Sequence, residues 1–539
     1  MWVYDNSNLN ESYSGIVSPA TYSFARRVYR QVYIQFCQLA GVSQSQIAQN
    51  DAVFSHMVAS IGGRMYYNLN SWHQMIKLLP GYQANSKFLE EMMGVDPALR
   101  GQVSPKIFKS QPLRIIYIFL KMLVIFLFMG WLVRRFLKKF ESESQNISRE
   151  ISQTFAQNQT VEDIMVKYHD WETDLTRDFR IPIANDFAVM ISVGLLRRLA
   201  GESAAARLTS GLPGIKSAEP GKQFQAILRT ISQNKEVSRA VLKLPPQLAY
   251  SKIKSLLDEY IRLYGVRVPG ELKLESLSFQ TDPLRLISLI KNCLRHLPAV
   301  SSQATPPQTL LPGSLLVHLV SRWAQVSISR REETRFQRAV AFGLVRDILR
   351  GIGKKLKKEG QLDKENDIFY LTIEDLDNYP RLDSSYRNLV TKRRREEIAF
   401  SKLNLPSRIT SSIPEVDLDQ YIKKPINPNP PHSLQGTVAS PGTHQQVKGE
   451  AVVMREFDIT RNITGKILVT TQTDPGWTII FPLLRGLIVE RGGILSHASI
   501  VSREFNLPCI VGVTGATASI PDGRQINMDI STGKIWLQS

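Results

Sequence analysis

Apolar residues recur every three or four positions from about residue 145 to about residue 420, most regularly over 237–265 and 336–356. This spacing places the apolar side chains on one face of a helix, so it predicts one amphipathic helix after another. After residue 434 the pattern changes to short apolar runs, such as 449–454 and 486–490, with turns of glycine or aspartate between them. Such runs predict β-strands. The expected fold class is therefore α+β and multidomain.

The change of pattern divides the chain into three predicted segments. Residues 1–422 are expected to form a large, mainly α-helical domain, and residues 434–539 a small β/β/α domain. Between them, residues 423–433 carry four prolines, which is typical of a stiff, extended linker. We expect this linker to act as a hinge for the small domain.

One segment is much more apolar than the rest. Residues 115–133 include a single charged residue, Lys121, and basic residues follow from Arg134 onward. The length is at the threshold for crossing a bilayer. Membrane contact and a helix buried inside the helical domain are the two interpretations. We favour the buried helix, because a span would place the two ends of the chain on opposite sides of a membrane.

Composition narrows the class of protein. The formal net charge is +19, and the basic clusters predict solvated helix faces or an acidic partner, since no nucleic-acid-binding motif accompanies them. The three cysteines, Cys37, Cys293 and Cys509, are far apart and form no C-x-x-C pair. This spacing excludes a zinc site of the C-x-x-C type and predicts a reducing, cytoplasmic location. Association with a membrane is left open. No metal site is predicted.

The most informative stretch surrounds His497. The strand 486–490 is followed by Gly492 and Gly493, which permit a tight turn and the close approach of a ligand. Ser496 is a good N-cap, so His497 is expected to be the first residue of a helix. Asn506 can take a left-handed conformation at the C-terminal end of that helix.

A histidine at this position has a chemical meaning. The first N–H groups of a helix lack partners within the helix, and the helix dipole favours negative charge there and disfavours a proton on the imidazole. A neutral, nucleophilic ring beside phosphate is the state that covalent phosphoryl transfer needs. A lone histidine at a helix start is also often a plain polar cap, so spacing alone leaves both interpretations open.

The whole segment 492–512 resembles the phosphohistidine signature of the PEP-utilising enzyme family. The matching residues are Gly492, Gly493, Ser496, His497, Arg503, Glu504, Pro508 and Gly512. Gly442, Asp474, Pro475 and Trp477 also fall where members of the family have them. Leu495 replaces a threonine of the pyruvate phosphate dikinases, so the part attributed to that threonine does not transfer.

The helical region resembles the same family less sharply, in rifampin phosphotransferases and PEP-synthase-like proteins. Over 264–271 it is similar to a Y-G-H-R-G-P-x-E segment and keeps Arg267 and Glu271, while Val266 and Val268 depart from the pattern. The resemblance implies a substrate pocket altered at these two valines.

The family resemblance implies a phosphotransferase component in which His497 is transiently phosphorylated, with Gly492, Gly493, Ser496 and Arg503 supporting the phosphate loop. No ATP-grasp domain of the PEP/pyruvate-binding type is present in these residues, so ATP and Mg²⁺ are expected on a partner chain. The phosphoryl group would pass to a small-molecule acceptor at the helical domain. Candidate acceptor-site residues are Arg64, Arg267, Glu271, Arg331, Glu332 and Arg335. For the last three, whose spacing is helical, ion pairing on a helix surface is the alternative and the favoured interpretation.

The alternative is a protein that keeps this fold as an interaction or membrane-associated module without phosphorylation of His497. Val266, Val268 and the missing ATP-binding part favour it, whereas the intact segment around His497 favours the enzyme.

Overall fold

The computed structural model describes residues 2–7, 9–79, 112–201, 204–205, 208–209, 216–296, 314–379, 386–422, 433–442, 445–493 and 496–538. The chain divides into two compact units. The first unit comprises residues 1–191, 272–275 and 334–424, and the second comprises residues 192–271, 276–333 and 425–539. Ten residues of the predicted hinge, 423–432, lie outside the described residues.

Helices dominate both units, as the apolar spacing predicts. The first unit holds α1 (Pro19–Ala40), α2 (Gln44–Gln49), α3 (Asp51–Ser55), α4 (Leu69–Lys77), α5 (Pro112–Ala156) and α6 (Val161–Thr176). The long helices α7 (Arg180–Ala200) and α13 (Leu315–Lys358) have residues in both units. The second unit holds α8 (Glu219–Gln233), α9 (Lys235–Lys243), α10 (Pro246–Lys252), α11 (Lys254–Tyr264) and α12 (Pro283–His296). The short helices α14 (Ile373–Asp377) and α15 (Tyr386–Ser401) belong to the first unit.

The first unit also contains a four-stranded antiparallel sheet that the helical pattern did not predict. Its strands are β1 (Trp2–Asp5), β2 (Val58–Ile61), β3 (Arg64–Asn68) and β4 (Arg408–Ser411), in the order β2-β3-β1-β4. The β2–β3 hairpin turns at Gly62 and Gly63, which both have positive φ. A two-glycine turn of this kind is a hairpin signal that the sequence carries.

Helix α5 contains the apolar segment 115–133 and corrects the expectation that it is buried. One face contributes Ile125, Met129, Val133 and Phe136 to the core of the first unit. On the opposite face large apolar side chains are exposed, and the most apolar 18-residue window of Ile116–Ala156 is only 22% buried. A second stretch, Val161–Ala200, is also long and apolar enough to cross a membrane but is 50% buried in that window. The prediction failed because apolar spacing alone does not show which faces find partners.

The C-terminal part of the second unit forms an eight-stranded mixed sheet, which confirms the α+β prediction. Its order is β5-β12-β11-β7-β8-β9-β10-β6. The strands are β5 (Ser433–Gln435), β6 (Thr437–Ser440), β7 (Gln446–Val453), β8 (Ile467–Thr470), β9 (Gly486–Val489), β10 (Cys509–Val511), β11 (Gln525–Asp529) and β12 (Lys534–Leu537). Helices α16 (His497–Glu504) and α17 (Ala516–Ser519) connect strands of this sheet.

The two faces of this sheet enter two different cores. In β8, Ile467 and Val469 lie in a core with β11 and α17, while Leu468 lies in another. This alternation follows from the two-residue period of a strand. The second core joins residues of the sheet and of α16 with residues of α8 and α12, such as Phe224 and Ile290. We call it the shared core, because residues 434–539 and the helices 219–296 build it together.

Candidate functional site

His497 is the first residue of α16, as predicted from its sequence. The N-cap Ser496 is extended, with φ −66° and ψ 161°, and its hydroxyl accepts a hydrogen bond from the Ser499 amide at 3.4 Å. At the other end Asn506 has φ 50°, the left-handed conformation expected of it. The local caps therefore set both ends of the helix that carries His497.

The glycine turn before α16 is held by its own hydrogen bonds. Gly492 has φ 113°, and the Gly493 carbonyl accepts bonds from the Ser496 amide at 2.9 Å and the Ser499 hydroxyl at 2.7 Å. Leu495, the departure from the dikinase pattern, lies outside the described residues. These contacts fix the direction in which α16 leaves the turn.

The imidazole of His497 is enclosed in this structure. The residue is only 3% exposed, and its Nε2 lies 3.1 Å from the hydroxyl of Thr478. The ring of Phe481 lies 6.5 Å away, centroid to centroid. Thr478 and Phe481 both belong to a 3-10 helix, Pro475–Leu483, of the same C-terminal domain. A phosphoryl group on Nε2 would occupy the place of the Thr478 hydroxyl, so covalent chemistry there requires the ring or this helix to move.

Asp474 links this 3-10 helix to the helical part of the second unit. Its Oδ1 accepts a hydrogen bond from the Gly476 amide at 2.8 Å and so caps the 3-10 helix. Its Oδ2 accepts a bond from the Gly270 amide, also at 2.8 Å. The carboxylate is 5% exposed. Asp474 therefore joins the segment next to His497 to the segment that contains Arg267 and Glu271.

The two segments approach too closely for any side chain at Gly476. A Cβ atom there would lie 2.0 Å from the carbonyl carbon of Val268 and 2.1 Å from the nitrogen of Pro269. Elsewhere in the same unit the side-chain amide of Asn292, on α12, donates to the carbonyls of Ile459 at 3.2 Å and Arg461 at 2.6 Å. A close backbone approach at Gly476 and side-chain hydrogen bonds from Asn292 thus supplement the shared core.

Arg267 and Glu271 form a buried ion pair. Nη1 of Arg267 lies 2.8 Å from Oε1 of Glu271, and the side chains are 2% and 3% exposed. Val266 and Val268 are buried as well, and Val268 belongs to the shared core. The valines that depart from the family pattern therefore have a packing role here.

The other predicted residues lie in different places. Arg503 is 9% exposed, and its Nε donates to the Ala439 carbonyl of β6 at 2.7 Å, which ties α16 to that strand. Burial lowers the pKa of Arg503. Arg64 lies in β3 of the first unit, and its Nη2 donates to the Leu403 carbonyl at 3.4 Å.

The three candidates on α13 are divided between the two units. Arg331 and Glu332 belong to the second unit, as His497 does, whereas Arg335 belongs to the first. Glu332 is 2% exposed. Among the residues that the structure describes, no group of three or more His, Cys, Asp or Glu side chains is arranged to hold a metal ion.

Sequence reasoning missed three residues of this site: Thr478, Gly270 and Asn292. Each contacts a residue remote in the chain, 19 positions away for Thr478 and 204 for Gly270. No local spacing signals such a contact. For Asp474 the family resemblance gave the position but not the bond to Gly270.

Comparison with known proteins points to one family. Residues 463–533 match the mobile domain of PEP-utilising enzymes, and residues 181–309 match the fourth domain of rifampicin phosphotransferase. The first match contains His497 and Thr478, and the second contains Arg267 and Gly270. Asp474 therefore joins a segment that matches the mobile domain to a segment that matches the fourth domain.

Individual relatives match over part of their length. A rifampicin phosphotransferase of Bacillus cereus is 27% identical over 304 residues, which is 53% of this chain and 34% of that protein. An uncharacterised protein of Mycobacterium tuberculosis is 27% identical over 357 residues, 63% of this chain and 38% of the relative. A rifampicin phosphotransferase of Streptomyces sviceus is 25% identical over 371 residues, 63% and 42% respectively. The chain spans less than half of the length of these curated relatives.

Proposed function

Because the chain fits the PEP-utilising enzyme family, we propose that it is a phosphotransferase component whose His497 carries the phosphoryl group. The observation that carries the proposal is the position of His497 as the first residue of an N-capped helix, inside the segment that matches the mobile domain. Unpaired amides and the helix dipole at such a position stabilise an anion bound to the ring. That several relatives are rifampicin phosphotransferases supports the type of reaction.

The reaction consists of two half-reactions. The lone pair of an imidazole nitrogen attacks a phosphorus atom of ATP, the bond from that phosphorus to the leaving oxygen breaks, and the nucleotide leaves with the electron pair. An acceptor hydroxyl then attacks the same phosphorus, the P–N bond breaks, and its electrons return to the ring, while the hydroxyl proton passes to a base. ATP and Mg²⁺, which screens the phosphate charge, would be bound by an ATP-grasp chain outside this sequence.

The proposal requires His497 to leave its enclosed position. In the structure Thr478 and the shared core hold the ring, so the arrangement corresponds to a closed state. Movement of the C-terminal domain about residues 423–433 would open the contacts at Gly270 and Asn292 and uncover α16. Such movement lets one imidazole serve two sites that a rigid protein could not bring together.

The acceptor site is proposed on the helical part of the second unit. Arg267 and Glu271 are the candidates that the Asp474 contact brings next to the segment of Thr478. Arg64, Arg331, Glu332 and Arg335 remain predictions. A small molecule with a free hydroxyl is the expected class of acceptor.

The decisive experiment is phosphate labelling. The chain is incubated with an ATP-grasp protein of the PEP/pyruvate-binding type, Mg²⁺ and radiolabelled ATP, and acid-labile label on the chain is measured. We expect label on the wild type and none on His497→Ala. His296→Ala, which removes an exposed histidine of α12, is the matched control and should retain label. Equal labelling of the wild type and His497→Ala would contradict the proposal.

The alternative, an inactive module that keeps the fold, is favoured by one observation. His497 is buried and already contacts Thr478, as a purely structural histidine would. On that hypothesis no acid-labile label forms with any ATP-grasp partner, and His497→Ala lowers the thermal stability of the second unit instead.

A further inference from the structure

Helix α5 has an apolar face that the residues described by the structure leave exposed. Nine large apolar side chains on this face are between 45% and 73% exposed, and we call them the α5 apolar face. They are Ile116, Tyr117, Phe119, Leu120, Leu123, Val124, Leu127, Phe128 and Trp131. Their spacing of three and four places them along one side of the helix. Exposed apolar patches of this extent mark interaction or membrane sites.

Basic residues continue this face toward the C-terminal end of α5. Arg134, Arg135 and Lys138 are exposed. They continue the three- and four-residue spacing of Leu127 and Trp131, so they lie on the same side of the helix. The guanidinium of Arg135 lies 5.3 Å from the centre of the Trp131 ring. An apolar stretch that ends in an aromatic residue and cations matches the boundary between acyl chains and anionic headgroups.

The buried face of α5 limits the ways in which this helix could contact a membrane. Ile125, Met129, Val133 and Phe136 are at most 7% exposed and belong to the core of the first unit. Crossing a bilayer would pull these side chains out of that core. The exposed stretch 116–131 is also only about 24 Å long at 1.5 Å per residue, against a hydrocarbon core of about 30 Å. Both facts favour a helix that enters one leaflet over one that spans the membrane.

We propose that the α5 apolar face docks the protein onto the surface of an anionic phospholipid membrane, with Arg134, Arg135 and Lys138 at the headgroups. The formal net charge of +19 supports this partner and opposes a second copy of the same chain. A protein partner is a poorer match, since even the cores of protein interfaces are only about 65% apolar, and seven of the nine side chains carry no hydrogen-bonding group. This inference does not depend on phosphorylation of His497.

The test is sedimentation of the purified chain with two kinds of vesicle, phosphatidylcholine alone and an equal mixture with phosphatidylglycerol. We expect binding to the anionic vesicles and little to the neutral ones. The double variant Leu127→Glu, Phe128→Glu should lower the bound fraction by about tenfold or more, because charged side chains no longer enter the acyl region. Val166→Glu changes an apolar residue of α6 that is 68% exposed and should leave binding unchanged.

A second pair of variants tests the charges. Arg134→Glu with Arg135→Glu should weaken binding to anionic vesicles and reduce its salt dependence. Lys392→Glu with Arg395→Glu makes the same change of net charge on exposed positions of α15 and should have a much smaller effect.

Several results would overturn the proposal. One is failure of the wild type to bind anionic vesicles, and another is binding that Leu127→Glu, Phe128→Glu leaves intact. A dimer in light scattering that this double variant splits would assign the face to a second copy. Resistance to carbonate extraction together with protease protection on one side of residues 115–133 would show a spanning helix instead.

Discussion

At the scale of single residues, the hydroxyl of Thr478 is the contact that defines the state of His497. It lies 3.1 Å from Nε2 although the two residues are 19 positions apart. The ring nitrogen that meets this hydroxyl cannot at the same time form a covalent bond to phosphorus. Thr478 is therefore expected to stabilise the closed state, and its removal should make the imidazole more available.

Replacement of Thr478 by valine tests this role with little change of volume. We expect Thr478→Val to accelerate the modification of His497 by diethyl pyrocarbonate by roughly two- to tenfold, since a hydrogen bond contributes about 0.5–1.5 kcal/mol net. Peptide mass spectrometry would measure the rate. Thr514→Val, at an exposed position of the same domain, is the control, and equal rates in all three proteins would contradict the expectation.

Asp529 gives a prediction for acid stability. Its Oδ1 accepts bonds from the Ser531 amide at 2.8 Å, the Ser531 hydroxyl at 2.6 Å and the Thr532 amide at 3.3 Å. The Ser531 hydroxyl is the largest cause, and together these bonds lower the pKa of Asp529 from 3.8 to about 2. Because the folded-state pKa is the lower one, the stabilisation is present above pH 3.8 and is lost as the pH falls through about 2.

The corresponding experiment follows thermal unfolding of Asp529→Asn against pH. We expect the variant to melt below the wild type near neutral pH, and the difference in Tm to shrink as the pH falls from about 4 to about 2. A difference that stays constant over this range would show that the carboxylate charge does not act in the turn.

At the scale of elements, α5 shows how one helix can serve two environments. Its N-terminal half is apolar on all sides, so the sequence predicts a buried or membrane-bound helix. In the structure one face joins a protein core and the other is exposed. Which face of α5 is buried depends on the helices that pack against it. The sequence pattern within 115–133 does not indicate which face this is.

Two phenylalanines of α5 test this division. Phe136 is 5% exposed and meets Phe179 edge to face at a centroid distance of 5.4 Å, whereas Phe128 is 59% exposed. We expect Phe136→Ala to lower the free energy of unfolding by about 3–5 kcal/mol. Phe128→Ala should change it by less than about 0.5 kcal/mol. Denaturant unfolding of both variants measures the contrast, and similar losses would show that both faces are covered in solution.

The four-stranded sheet of the first unit marks a limit of reasoning from local pattern. The Gly62–Gly63 turn between β2 and β3 was a usable hairpin signal. No comparable signal exists for β1 and β4, since Trp2 pairs with Ser411 across about 400 residues of chain. Strands this short, four or five residues long, carry too few positions for alternation to be recognised.

At the scale of the whole molecule, the shared core is the feature that no local sequence pattern indicates. The sequence predicted that residues 434–539 form a separate domain. The structure groups residues 425–539 with 192–271 and 276–333, and residues from both parts build one apolar core. Opening of this core is therefore the expected energetic barrier to uncovering His497.

The cysteines provide a probe of that opening. Cys293 lies in the shared core and Cys37 in the core of the first unit, and burial raises the pKa of both thiols to about 12. Neither should react in the closed state at pH 8. If the C-terminal domain leaves the helices while the first unit stays folded, Cys293 should be alkylated faster than Cys37 in native buffer.

Mass spectrometry of alkylated peptides over time distinguishes the two sites. Asn292→Ala, which removes the bonds to Ile459 and Arg461, should accelerate the labelling of Cys293 and leave that of Cys37 unchanged. Equal, slow labelling of both cysteines in every variant would mean that the shared core opens only on global unfolding.

The sequence by itself determined the succession of helices, the strand-rich C-terminal part and the helix that begins at His497. These features depend on side chains within a few positions of each other, such as the cap at Ser496 and the left-handed Asn506. Tertiary structure decided which face of α5 is covered, that Thr478 meets His497, and that Asp474 binds Gly270. Those outcomes depend on how segments remote in sequence pack against each other. The free energy of that packing cannot be inferred from a local sequence pattern.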